Sequence, residues 1–127
     1  MERVRGIGGY FLRARDPEGL SRWYRDNLGV VAEDLDGYWF QQGGPTVFAP
    51  FPEETDYFGS PAQKTMLNFR VVNLDAMLAQ LKAGGAEVDH RIETDDNGRF
   101  GWAVDPEGNR FELWEPVDGI SDPGDLA

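Results

Sequence analysis

From Phe100 to Pro116 the chain reads FGWAVDPEGNRFELWEP: an apolar run, a turn, then an alternating run. Pro106 presets φ for a turn, and Gly108 allows positive φ at no steric cost. Beyond the turn, Phe111 and Leu113 share one face, and Arg110, Glu112 and Trp114 share the other. That is the period of a half-buried strand, so the segment predicts a β-hairpin. Upstream, Met66 to Val72 alternates as a strand. Leu74 to Lys82 places Leu74, Met77, Leu78 and Leu81 at helical spacing and stops at Gly84-Gly85. Ala86 to Ile92 reads as a further strand, and Asp95 to Gly98 as a turn.

The first half carries the same order. Ile7 to Ala14 alternates as a strand. Asp16-Pro17-Glu18 is a helix start, with Asp at the N-cap and Pro at the first helical position. Leu20, Trp23, Tyr24 and Leu28 form the helix's apolar stripe, and Gly29 ends it. Val30 to Leu35 and Tyr38 to Gln42 predict a hairpin about Asp36-Gly37, and Thr46 to Ala49 a fourth strand. FLRARDPEGLSRWYRDNLG and NFRVVNLDAMLAQLKAGG thus share strand, polar corner, amphipathic helix and glycine stop. Each unit is too small to bury its own faces, so the two are expected to pair around one interior.

The expected layout is a first βαβββ module over 1–50, a linker over 51–65, a second module over 66–116 and a flexible tail over 117–127. The fold class is α+β: two paired βαβββ modules forming a curved mixed sheet around a cup-shaped cavity, helices outside. Leu12, Ala14, Phe69, Val71, Phe111 and Leu113 should face the helices. Gly9, Phe11, Met66, Asn68, Arg70, Trp102, Arg110, Glu112 and Trp114 should face the cup. The linker is rich in Pro, Gly and acids, but its Phe51, Tyr57 and Phe58 imply that it packs down.

Composition narrows the chemistry. Without cysteine there is no disulfide, thiol nucleophile or thiolate metal site. His90 is the single histidine, and its position predicts a surface residue. A net charge of −11 argues against a nucleic-acid backbone or an anionic membrane as partner. The sequence contains no long apolar span and no signal-peptide pattern at Met1, so a cytoplasmic protein is expected. Calcium-loop, dinucleotide, P-loop and G-x-S-x-G spacings are all missing.

DPEGLSRWYRDNLG, FRVVNLDAMLAQLKAGGAEV and DPEGNRFELWEP, in that order and with the duplication, resemble the vicinal-oxygen-chelate superfamily. Its members include glyoxalase I, bleomycin-resistance proteins and extradiol dioxygenases. The resemblance spans about residues 4 to 116 and implies paired βαβββ modules and a homodimer. In metal-dependent members it implies a divalent cation held by the first strand of each unit and the last strand of the second. Carried over by motif, those positions are Gly9, Met66 and Glu112. Glycine has no side chain, and a thioether is too soft for hard divalent ions. One carboxylate does not hold such an ion tightly, so no metal site or cofactor is expected, and any ion on Glu112 should be weak.

Glu112 then has three readings. It pairs with Arg110 or Arg70, it serves as a general base between Trp102 and Trp114, or it recognises a cationic or hydroxylated ligand. Asn68 and Arg70 suit a carboxylate or carbonyl, or else a rim salt bridge. Phe11, Phe48, Trp102 and Trp114 stack on a flat ligand or fill the core. With Met66 and Arg110 these complete the expected ligand-binding set. The leading expectation is a glyoxalase/bleomycin-resistance-like protein that binds a small organic molecule without a catalytic metal. The alternative is a lyase, isomerase or dioxygenase of the same superfamily, with Glu112 as its catalytic residue.

Overall fold

The computed structural model describes residues 1–31 and 37–120. Its ordered elements are α1 (Pro17–Leu28), β1 (Asn68–Arg70), α2 (Leu74–Ala83), β2 (Glu87–Val88), β3 (Glu93–Asp95), β4 (Gly98–Val104) and β5 (Arg110–Pro116). The sheet runs β1-β5-β4-β2, with β3 also on β4. β1 and β5 are parallel and the other pairings antiparallel, so the sheet is mixed. Together with two helices this makes an α+β fold.

Both helices begin and end as their sequences dictate. The Asp16 side chain accepts from the Gly19 N–H, and Asn73 from the Ala76 N–H, each at 3.0 Å. Gly29 takes a left-handed conformation (φ 70°), which lets the Val30 N–H reach back to the Tyr24 carbonyl. Glu115 on β5 accepts from the Leu74 N–H at 2.9 Å, tying the start of α2 to the sheet. Leu74, Leu78 and Leu81 bury against Ala103, Phe111 and Leu113. Trp23 and Tyr24 of α1 meet Phe111 in tilted and edge contacts, and Tyr24 also meets Phe69.

Gly98 is the tightest point of the sheet. With φ 136°, it lies where a Cβ would run into the Glu115 carbonyl oxygen. This close approach lets Asp96-Asn97 close the β3–β4 turn and lets the Val117 N–H bond the Asn97 carbonyl.

The first half departs from expectation. Residues 7–14, 38–42 and 46–49 were expected as strands, and none of them carries a strand ladder. Val30–Leu35 and the turn at Asp36-Gly37 fall largely outside the described residues, as does most of the tail over 117–127. The physical cause is that alternation sets which face a strand presents but supplies no hydrogen-bonding neighbour. The glycines of Gly6-Ile7-Gly8-Gly9 and Gly43-Gly44 also weaken extended pairing. Leu12, expected to face a helix, is 42% exposed. Both helices pack on the one sheet, with the Gln80 side chain donating to the Asn27 carbonyl between them. The described residues therefore form one open mixed sheet with helices on a single face, and the expected pair of βαβββ modules around a cup-shaped cavity is not seen among them. No helix among them is long and apolar enough to cross a membrane.

Candidate functional site

Register places the cup-face residues in rows. Asn68, Glu112 and Trp102 lie side by side on β1, β5 and β4, and Arg70, Trp114 and Phe100 form the next row. Successive strand residues point to opposite faces, so these rows lie opposite the helices. The segment 51–63 crosses this face. Three successive turns shape it, closed by the N–H groups of Thr55, Gly59 and Gln63. The Gln63 side chain both accepts from the Arg110 N–H at 2.9 Å and donates to the Arg110 carbonyl at 2.7 Å. That amide occupies the place of a strand neighbour beside β5.

Glu112 is the centre of the face. It is 8% exposed, and its carboxylate receives three neutral donors. Asn68 Nδ2 donates to Oε1 at 2.5 Å, Trp102 Nε1 donates to Oε2 at 3.0 Å, and the Tyr57 hydroxyl donates to Oε2. Of the three readings of Glu112, the ion pair with Arg110 or Arg70 does not form. Arg110 instead lies 3.6 Å from Asp89 and donates to the Tyr57 carbonyl. Arg70 donates to the carbonyls of Gln42 and Pro45, pinning the first half of the chain against β1. Glu112 is thus a buried carboxylate with no cationic partner among the described residues, stabilised by neutral hydrogen bonds.

Trp102 is fully buried. The guanidinium groups of Arg91 and Arg110 lie 5.5 and 5.4 Å from its ring centroid. Asp89 sits between these two arginines. The Arg91 backbone N–H, with both guanidinium charges behind it, holds Asp89 below the usual carboxylate range. Tyr57 meets Trp102 edge-on at 6.1 Å and stacks on Phe51 at 5.4 Å. Trp114 stacks on Phe100, and its indole N–H donates to the Asn97 carbonyl at 3.0 Å.

The structure therefore brings together Asn68, Trp102, Arg110 and Glu112, with Trp114 and Arg70 one row away. Met66 lies half-buried before β1. Phe11 and Phe48 are 94% and 89% exposed and line no buried surface. His90 is 97% exposed. Sequence reasoning missed Tyr57, Gln63, Asp89 and Arg91 as site residues. The sole signal for Tyr57 was an aromatic in a polar linker. Two open clefts among the described residues lie elsewhere, on the outer side of α1 and between its start and Glu107. They offer neither a buried polar centre nor a closed wall. No group of three or more His, Cys, Asp or Glu suited to a metal occurs among the described residues.

Two phenols are shifted. Burial, then the hydrogen bond to Asp105, pushes Tyr24 well above its ordinary 10.0. Burial, then the hydrogen bond to Glu112, does the same to Tyr57. A folded-state pKa above the unfolded one gives stability that is whole below about pH 10 and is lost as pH rises beyond it. Urea midpoints should therefore fall on the alkaline side of about pH 10. Tyr24→Phe and Tyr57→Phe should each flatten that fall, and a flat wild-type profile would contradict both shifts.

The fold and this site define an α+β protein of the glyoxalase type. A family model described as a glyoxalase-like domain matches residues 10–114, so the chain belongs to that family and to the vicinal-oxygen-chelate superfamily. No curated protein matches it. Among solved structures it is similar to TnmS3, an antibiotic binding protein from Streptomyces sp. CB03234. Identity is 20%, coverage is 92% of this chain and 100% of that one, and the TM-score is 0.58. It is also similar to a glyoxalase-related enzyme from Fulvimarina pelagi, at 17% identity, 98% and 100% coverage and a TM-score of 0.57. A third is lactoylglutathione lyase from Agrobacterium tumefaciens, at 20% identity, 90% and 96% coverage and a TM-score of 0.51. At these identities the likeness is one of fold.

Proposed function

We propose that this protein binds a small organic molecule on the sheet face centred on Glu112, without a tightly held catalytic metal. The observation that carries this reading is the buried Glu112 carboxylate, kept among aromatic rings and satisfied only by neutral donors. Such a group is costly in a purely structural core, where an apolar residue would serve. It is well suited to fixing the orientation of a ligand's polar atom against flat apolar walls. The family position equivalent to a third metal ligand is thereby used as an acceptor. Gly9 and Met66 bring no hard donors to accompany it. A small-molecule role also accords with the description of TnmS3 as an antibiotic binding protein.

A homodimer belongs to the same reading. Val4, Ile7, Phe11, Val47 and Phe48 are each at least 62% exposed, all in the first half of the chain. A second copy packed on this half of the chain would take these side chains out of water.

The test follows the Trp102 indole N–H resonance while the protein is titrated with neutral, cationic and hydroxylated aromatic compounds, and separately with Mn²⁺, Ni²⁺, Zn²⁺ and Fe²⁺. Binding of one or more of the organic compounds at Trp102 is expected. Tight uptake of one equivalent of metal, abolished in Glu112→Ala, would overturn the reading. So would silence of Trp102 toward every organic compound.

A further inference from the structure

The Glu112 face already holds an aromatic ring with a hydroxyl, and it belongs to the chain itself. The Tyr57 ring lies against Phe51 on one side (26° between planes) and meets Trp102 edge-on (86°). Its hydroxyl donates to Glu112 Oε2, the oxygen that also accepts from Trp102. Flat wall, perpendicular wall and acceptor together define a slot shaped for a phenol.

The anchoring of the segment does not depend on that side chain. Gln63 clasps both main-chain groups of Arg110, the Arg110 side chain donates to the Tyr57 carbonyl, and the three turns are closed by backbone bonds. Tyr57 is half-buried, so its ring borders solvent. Rotation about its side-chain bonds would vacate the slot while the segment stays in place.

We propose that Tyr57 is an internal occupant of the recognition slot, and that the molecule the slot takes is a hydroxy-aromatic compound whose O–H replaces the tyrosine's on Glu112. This rests on the reading that the Glu112 face binds a small molecule, and adds its chemical class. A neutral hydroxyl fits because Glu112 offers an acceptor and the adjoining Asn68 and Trp102 groups are donors already aimed at it. The charged groups around the slot are Glu93, Asp89, Arg91 and Arg110. Asp89 faces both arginines. Glu93 and Glu112 both disfavour an ionised phenol beside them. The slot should therefore take the phenol with its proton on.

The experiment uses full-length protein carrying Tyr57→Ala, with 4-methylphenol, toluene, benzylammonium and 4-nitrophenol as probes. The indole N–H of Trp102 reports binding. The variant should bind 4-methylphenol about tenfold or more tighter than toluene, the discrimination expected of one buried hydrogen bond. Wild type should bind it more weakly, because its own ring competes. At neutral pH, 4-nitrophenol should lose its yellow phenolate absorbance on binding to the variant. Tyr57→Phe, which keeps the ring and the packing, should bind 4-methylphenol several-fold tighter than wild type. Equal binding of toluene, tighter binding of benzylammonium, or retained phenolate colour would each overturn the hydroxy-aromatic assignment while leaving the Glu112 face a binding site. Unchanged affinity in both Tyr57 variants would overturn the role of Tyr57. If Trp102 also stays silent toward all other compounds, the functional reading itself fails.

Discussion

Trp102→Ala should destabilise the fold by about 3–5 kcal/mol, the usual cost of removing a buried large aromatic. The side chain is fully buried although it lies on the face away from both helices. Its walls are Tyr57, Arg91 and Arg110, and its indole N–H is spent on Glu112. Truncation would remove the apolar contact and leave a cavity under the 51–63 segment. It would also take one of three donors from a buried carboxylate. Trp102→Phe keeps most of the ring but not the donor, and should cost less, about 1–3 kcal/mol. Urea unfolding at neutral pH gives both values, provided the slope is unchanged. A cost for Trp102→Ala within about 0.5 kcal/mol, as at an ordinary surface position, would mean that this face is not packed as described.

The hairpin holding Trp102 was legible in the sequence because its information is local. In DPEGN, Asp105 accepts from the Glu107 and Asn109 backbone N–H groups and from the Asn109 side chain, so the turn is built within five residues. The helix caps at Asp16 and Asn73 are local in the same way, and so is the alternation that puts Phe111 and Leu113 under α2. What lay beyond reach depends on long separations. The Tyr24 hydroxyl donates to Asp105 across 81 positions, fixing α1 against the same sheet as α2. The Tyr57 hydroxyl reaches Glu112 across 55. Alternation in the first half could state which side chains share a face. It could not state that a ladder partner would be present for them.

Arg70 and Arg110 depend on distant partners in the same way. Strand period correctly placed both on the face with Glu112, yet neither touches it. Arg70 lies toward Gly44, where a Cβ would come within 2.7 Å of its Nε, and takes main-chain carbonyls from the first half. Arg110 is drawn to Asp89 on the loop after β2. A shared face makes an ion pair available, but the nearest acceptor decides which one forms. Both arginines find acceptors outside the row that holds Glu112. That leaves the carboxylate to neutral donors, and its interaction with Tyr57 becomes the decisive polar contact of the site.

Glu112→Ala should therefore be among the costliest polar substitutions in the chain, at about 2–5 kcal/mol. It would orphan the Trp102 indole N–H, which is fully buried, and release the hydroxyl of Tyr57 and the amide of Asn68 together. Glu112→Gln should behave differently. With its oxygen in the Oε2 position, glutamine still accepts from Trp102 and Tyr57. Its new N–H₂ group then faces Asn68, whose amide can turn to present oxygen in place of nitrogen. Both donors and acceptors stay matched, so the loss should be about 1 kcal/mol or less, the scale of a single neutral hydrogen bond. Removing the negative charge should also bring the Tyr57 phenol back toward its ordinary range, visible in an ultraviolet titration on the alkaline side of neutrality. Adding Asn68→Asp to Glu112→Gln restores an acceptor facing the new amide and should be tolerated. Asn68→Asp alone sets two carboxylates against each other and should not. Equal stability losses in Glu112→Ala and Glu112→Gln would mean that the carboxylate's charge, rather than its pattern of accepted bonds, maintains this face.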